Sequence, residues 1–261
     1  AQAVEVMSHL EFLLQTAWTD LDVQATSVTD QFAGMSVAGP RSREVLAKLT
    51  DTPLDNASFP WLTSQVIEVG YATDVYALRV NFIGELGWEL YVAPEWAVTV
   101  WDRIIEAGRP VGLGLVGYRA LDSLRMEKAY RHWGHDMSDE DTVIEAGLGF
   151  TVAWDKPGGF IGREALLARR AAGGRRRLAC LVLDDPRSVT LGNEPVRVDG
   201  AIVGTAYIYA PNVDPSTYQI APTAFSYVED LNQTDKIDAC YLSPHLQIAQ
   251  RIEELTNTYE M

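Results

Sequence analysis

Cysteine is scarce in this 261-residue chain: only Cys180 and Cys240 occur, far apart in the sequence. No CxxC or Cys/His spacing is present, which argues against a structural zinc site and a disulfide framework. Isolated thiols suit a reducing compartment, so a cytoplasmic setting is expected. Positive charge is also scarce. Lys and Arg number 21 against 36 Asp and Glu, for a formal net charge of −15. Nucleic acid and anionic membranes would be repelled. No run of 18 apolar residues exists, so no membrane span is expected. The first residues, AQAVEVMSHLEFLLQTAW, lack a basic region before an uninterrupted apolar core and do not read as a signal peptide. Nucleotide signatures are missing as well: GLGLVG at 112–117 has its glycines at the wrong spacing, and no Walker motif appears. No Ser/His/Asp order with a nucleophile elbow occurs. His132 and His135 flank Gly134 beside Asp136, but glycine breaks a helix there and no third ligand is evident, so no metal is expected.

What is present is ordinary for a globular protein: 47% hydrophobic and 22% charged residues. Val6, Leu10, Leu13, Leu14 and Ala17 recur at helical spacing, and a chain that opens inside a helix is expected to be a segment of something longer. Strands are expected around LDVQATSV and FAGMSVAG. Gly39-Pro40 then opens a short helix in PRSREVLAKLT, with Pro40 at its first position. Residues 66–92 read as strands with turns at Ala72-Thr73-Asp74 and at Gly84. Over 94–108, Ala97, Val100, Trp101, Ile104 and Ile105 form one apolar stripe, stopped by Gly108 and Pro110. A helix over about 117–130 follows, then a strand in GLGFTVAW, a turn at Lys156-Pro157-Gly158-Gly159 and a helix in REALLARRAA. From about Arg177 the chain alternates with period two, and Asp199-Gly200 signals a hairpin. Residues 211–242 show little periodicity. Ser243 caps an expected final helix carrying Leu246, Ala249, Ile252 and Leu255.

Two stretches carry candidate chemistry. In FIGELGWELYV (82–92), strand alternation puts Glu85, Gly87, Glu89 and Tyr91 on one face and Leu86, Trp88, Leu90 and Val92 on the other. One reading is an edge strand with solvated glutamates. The other is a ligand slot: Gly87 leaves room beside Glu89, Tyr91 supplies a wall, and the two carboxylate oxygens match a planar edge with two parallel N–H donors, such as that of a pterin. In GYRALDSLRMEKAYRHWGHD (117–136), Leu121 and Leu124 face inward with Tyr118 and Arg125 close to that face. Surface pairing is expected for Arg119 with Asp122 and for Glu127 with Arg131. Tyr130, His132 and Trp133 cluster at the helix end, where core filling competes with a cofactor role. The run GGRRR at 173–177, with Arg169 and Arg170, reads as a solvated turn or as an attractor for an anionic tail such as polyglutamate.

In this order, VAGPRSREVL (37–46), GELGWEL (84–90), ALDSLRMEKAY (120–130), WGHD, EAGLGFTV (145–152) and GFIGREAL (159–166) resemble the folate-binding aminomethyltransferase family, the T-protein of the glycine cleavage system and its relatives. The nearer likeness is to the branch fused to flavin-dependent oxidases and dehydrogenases of sarcosine or dimethylglycine. The resemblance implies an α+β fold: a partial folate-binding domain over 1–155 with mixed or antiparallel sheets and flanking helices, a small β-rich module over 156–210, and a tail over 211–261 of unknown role. It further implies that the family's central aspartate, with about the first third of a member, lies upstream of residue 1, so the catalytic group is not identified here. Glu89 matches the pterin-holding glutamate. Arg119, Arg125 and Tyr130 match further folate contacts, with Leu121 replacing an arginine of the family pattern. The implied function is tetrahydrofolate-dependent capture, as 5,10-methylenetetrahydrofolate, of the carbon from an N-methyl amine such as dimethylglycine or sarcosine. FAD would sit on a partner domain or flavoprotein subunit, in the cytoplasm or a mitochondrial matrix. The alternatives are a folate-dependent O- or S-demethylase and a non-catalytic folate-binding or assembly subunit.

Overall fold

The alternation over residues 87–92 is realised as a strand, β4 (Gly87–Val92). In the computed structural model it lies between β1 (Ala33–Ala38) and β3 (Ala72–Leu78), and β2 (Ser64–Val69) completes an antiparallel sheet in the order β1-β4-β3-β2. The period-two pattern puts Trp88, Leu90 and Val92 on the core face with no solvent exposure, alongside Val37, Ile67, Val69, Val75 and Ala77. Two helices supply the other side of that core: α2 (Ser42–Leu46) through Val45 and Leu46, and α3 (Ala97–Gly108) through Val100 and Ile104. Fully burying each large apolar side chain contributes roughly 1.5–3 kcal/mol. With α1 (Gln2–Thr16), these elements belong to the first of two compact units, residues 1–81 and 85–115. The structure describes residues 2–173, 176–183, 195–207, 223–229, 238–239 and 246–248.

The second unit comprises residues 82–84 and 116–261. Its sheet runs β10-β5-β8-β7-β6-β9, all pairings antiparallel, from β5 (Arg176–Leu183), β6 (Pro195–Val198), β7 (Ala201–Tyr207), β8 (Thr223–Glu229), β9 (Asp238–Ala239) and β10 (Leu246–Ile248). The Asp199-Gly200 hairpin forms as expected, both residues at positive φ (48° and 82°). Helix α4 (Tyr118–Glu127) and the turn after it pack Met126 and Ala129 against Leu178 and Cys180 of β5. Burial pushes the Cys180 thiol up to about 11, which makes it an inert core group. Helix α5 (Arg163–Ala172) follows the Lys156–Gly159 turn.

Several expectations are corrected. LDVQATSV carries no strand, and the chain enters β1 through a short 3₁₀ turn at Thr29–Gln31. Pro40 lies two residues before α2 rather than at its first position. The β2–β3 turn is Gly70-Tyr71, because Gly70 supplies the positive φ (65°) that the reversal needs, while Ala72 already pairs with Val69 and Thr73 lies within β3. Trp101 is 45% exposed, so the buried stripe of α3 narrows to Val100, Ile104 and Gly108. GLGFTVAW forms a 3₁₀ turn at Gly149–Thr151 with Phe150 exposed. Residues 223–229 are a strand inside the stretch without periodicity, and Leu246–Ile248 pair with β5 instead of forming a helix. Ser243, Ala249, Ile252 and Leu255 lie outside the described residues.

Candidate functional site

In the first unit, Glu89 and Tyr91 emerge from β4 on the face opposite the core and are partly buried. Glu89 is flanked by Ser36 on β1 and Leu78 on β3, and Tyr91 by Gly34 and Tyr76. Ser36 and Gly34 are exposed, Tyr76 is 47% exposed, and Phe32 meets Tyr76 edge-on at 5.5 Å. This face of the sheet therefore sets the Glu89 carboxylate beside aromatic rings. The Tyr91 hydroxyl donates to Glu89 Oε2 at 2.9 Å. That bond, with burial and the carboxylate charge adding to it, raises the Tyr91 phenol above its ordinary 10.0. Oε1 of Glu89 accepts no hydrogen bond among the described residues.

Gly87 does not open a slot beside Glu89. A Cβ there would fall 2.9 Å from Ala38 Cβ and 3.0 Å from the Val37 carbonyl oxygen, so the missing side chain is what lets β1 approach β4. The entry to β4 is tied locally. Asn81 brackets Glu85, its Oδ1 accepting from the Glu85 N–H and its Nδ2 donating to the Glu85 carbonyl. The Leu86 carbonyl accepts from the Gly39 N–H and the Ser42 hydroxyl.

In the second unit, α4 turns Arg125 inward as expected, but the rest of its inner face differs. Leu121 and Leu124 are only partly buried and Tyr118 is 75% exposed, whereas Asp122, Arg125 and Met126 are buried. The Arg125 guanidinium is fully enclosed. It pairs with Asp122 Oδ1 at 3.3 Å, donates to the Tyr130 carbonyl at 3.0 Å, and bonds Asp136. Asp136 Oδ2 also accepts from the His132 N–H at 2.7 Å. Arg125 thus fastens the 130–136 segment onto the helix. Asp122 pairs with Arg125, and the side chain of Arg119, its expected partner, lies outside the described ones. Tyr130 is half-buried, and that burial raises its phenol, with Lys128 opposing. The helix ends with Ala129 at φ 55° while the Tyr130 N–H reaches back to the Arg125 carbonyl at 2.9 Å, a left-handed cap that glycine usually occupies.

His132 sits edge-on to Phe82 at 5.6 Å and 4.3 Å from His135, with Nδ1 3.6 Å from Asp122. Trp133 is 56% exposed, so it does not fill a core. The expected solvated turn at 173–177 is partly committed within this unit. Arg169 bonds Glu145 at 2.9 Å, Arg170 stacks over Trp154 at 4.8 Å, and Arg176 pairs with Asp141 at 3.1 Å. The buried acids Asp122 and Asp136 were missed as a structural pair. The available signal was the i, i+3 spacing of Asp122 and Arg125 together with an acid just past the helix end.

Sequence and structure comparisons bear on this arrangement. A family model described as the GCVT N-terminal domain matches residues 1–156. The 4-methylaminobutanoate oxidase (formaldehyde-forming) of Paenarthrobacter nicotinovorans is 43% identical over 178 residues, 67% of this chain and 21% of the relative. The mitochondrial dimethylglycine dehydrogenase of Mus musculus is 38% identical over 209 residues, 79% of this chain and 23% of the relative. The chain therefore spans about a fifth of the length of these relatives. The crystal structure of glycine cleavage system aminomethyltransferase T from Bartonella henselae aligns with a TM-score of 0.64 at 21% identity, covering 85% of this chain and 60% of that one. That likeness shows the fold: helices with antiparallel sheets, as the sequence resemblance implied. Because the family model covers more than half of its residues, the chain belongs to the GCVT, or aminomethyltransferase T-protein, family.

Proposed function

We propose that the chain is the tetrahydrofolate-binding part of a one-carbon transfer enzyme, in which the carbon released by oxidation of an N-methyl amine such as dimethylglycine or sarcosine is captured as 5,10-methylenetetrahydrofolate. One observation carries this reading: the partly buried Glu89 carboxylate, on a sheet face lined by aromatic rings, with Oε1 left available. A carboxylate accepts two parallel N–H donors from a planar heterocycle, and the amino-pyrimidinone edge of a pterin offers such a pair. Oε2 keeps a second lone pair after accepting from Tyr91, so the donor set fits. Tetrahydrofolate, when bound, supplies the nucleophilic nitrogens that take up the carbon.

This chain's own residues bind and orient. In this reading Glu89 anchors the pterin. In the second unit, Arg119 and Tyr130 are assigned to the folate by the resemblance alone, while Arg125, fully enclosed, does not reach a ligand. The enclosure of Arg125 gives it a positioning part, since its bonds to the Tyr130 carbonyl and Asp136 hold the segment that carries Tyr130. Holding the acceptor nitrogens beside a reactive carbon replaces a bimolecular encounter with an effectively intramolecular one. FAD belongs to a flavoprotein partner or further domain in this proposal. Among the described residues no helix is long and apolar enough to cross a membrane.

A second reading has one observation in its favour. The relative at 43% identity is named formaldehyde-forming. In that case the carbon leaves as formaldehyde, and the domain has a binding or assembly role. Titration of the chain with 5-formyltetrahydrofolate, an air-stable reduced folate, tests the leading proposal. Saturable binding near one equivalent is expected, and no binding at millimolar ligand would overturn it.

A further inference from the structure

We propose that Tyr91 is a positioning residue for Glu89: its phenol pins one carboxylate oxygen and leaves the other free to accept from a ligand. The inference rests on the folate reading of Glu89 and adds to it the group that fixes the carboxylate.

The argument starts from the strand. Glu89 and Tyr91 are two residues apart on β4 and share a face, so the two side chains rise side by side. The hydroxyl lies 2.9 Å from Oε2. Cross-strand neighbours of Glu89 offer no substitute. Leu78 has no donor, and Ser36 makes no hydrogen bond to Glu89 among the described residues. Tyr91 therefore supplies the donor that selects one rotamer of a side chain with three free torsions. A glutamate without it would be ordered only when ligand arrives, and that ordering would be subtracted from affinity. Tyrosine suits the task because only two torsions need fixing, and its base is on a sheet rather than a loop. Gly34, directly across on β1, does not crowd the ring, and even a Cβ there would only touch it at 3.9 Å, an ordinary van der Waals contact. The phenol, held above its ordinary 10.0, stays a donor through the physiological range.

A double-mutant cycle separates positioning from packing. The full chain is titrated with 5-formyltetrahydrofolate as wild type, Tyr91→Phe, Glu89→Gln and the double variant. Tyr91→Phe should weaken binding about fivefold, the equivalent of one typical hydrogen bond. In the Glu89→Gln background the same change should cost far less, because the amide oxygen that still accepts from Tyr91 leaves only an NH2 donor facing the ligand's donor edge. Equal losses in both backgrounds would mean that Tyr91 only packs, and the inference falls. Wild-type affinity in Tyr91→Phe, with affinity lost in Glu89→Gln, would also overturn it while leaving the folate reading intact. Wild-type affinity in Glu89→Gln would overturn the folate reading itself. A second readout needs no ligand. The Tyr91 phenol, followed by NMR, should titrate closer to 10 in Glu89→Gln, and an unmoved titration would show that the contact does not exist.

Discussion

The two units bury different things. The first fills its core with apolar side chains from one sheet face and two helices, with Trp88, Leu90 and Phe59 fully enclosed, and keeps Glu89 on the other face with one oxygen available. In the second, Asp122, Arg125, Asp136 and Glu145 are all buried, while a small apolar cluster joins α4 to β5. A charge at a partly open face can be used for recognition. A charge inside must be matched by its neighbours, because an unpaired buried ion is costly. The Glu89 carboxylate is therefore free for binding in the first unit, whose buried Arg79 is bonded to the Phe59 carbonyl and to Asn56, whereas the buried acids and arginine of the second unit are committed to structure.

The largest expected effect tests that commitment. Arg125→Met leaves Asp122 and Asp136 enclosed without their cation, and urea unfolding should show a loss of about 3–5 kcal/mol. A neutral result would mean that the cluster carries no structural load. Next comes Gly87→Val in the first unit. Since Ala38 already fills the space beside Gly87, the added side chain must push β1 away, and stability should fall by roughly 1–3 kcal/mol whether or not ligand is present. A folded, equally stable variant that has merely lost affinity would restore the slot reading.

The smallest effect concerns pH. Burial alone would raise Glu145, but hydrogen bonds from the Thr142 N–H and hydroxyl, together with Arg169, outweigh it and hold the carboxyl below its ordinary 4.5. A lowered folded-state value contributes stability that is fully present above the unfolded value and is lost as pH falls through the folded one. Melting temperatures should therefore decline below pH ~4.5, and Glu145→Gln should flatten that acid limb. An identical slope in the variant would remove Glu145 from the acid response.

Legibility in the sequence followed the range of the interactions. The β4 alternation, the Asp199-Gly200 hairpin and α3 are local patterns, and each appears where the residues place it. Gly87 was ambiguous because glycine marks a close approach by ligand or backbone alike, and only the β1 pairing, distant in sequence, decides for backbone. On α4 the sequence places Arg125 near the inner face, but it leaves Asp122 on the surface, because periodicity treats an acid beside a basic residue as a solvated pair. Arg125 turns inward for partners on the segment after the helix. Leu246 starts a helical apolar spacing with Ala249, Ile252 and Leu255, yet Leu246–Ile248 pair with β5. Glu89 could be singled out from residue type and alternation, whereas its hydrogen bond to Tyr91 required coordinates.

The central claim, that Glu89 anchors a reduced folate, is tested most directly by calorimetric titration of 5-formyltetrahydrofolate into wild type and Glu89→Gln. The substitution swaps an acceptor for a donor facing donors, at a position away from the apolar core. Affinity should drop roughly tenfold or more, in line with a lost charge-assisted hydrogen bond, while the urea midpoint stays unchanged. Unchanged affinity in a folded Glu89→Gln protein would contradict the account.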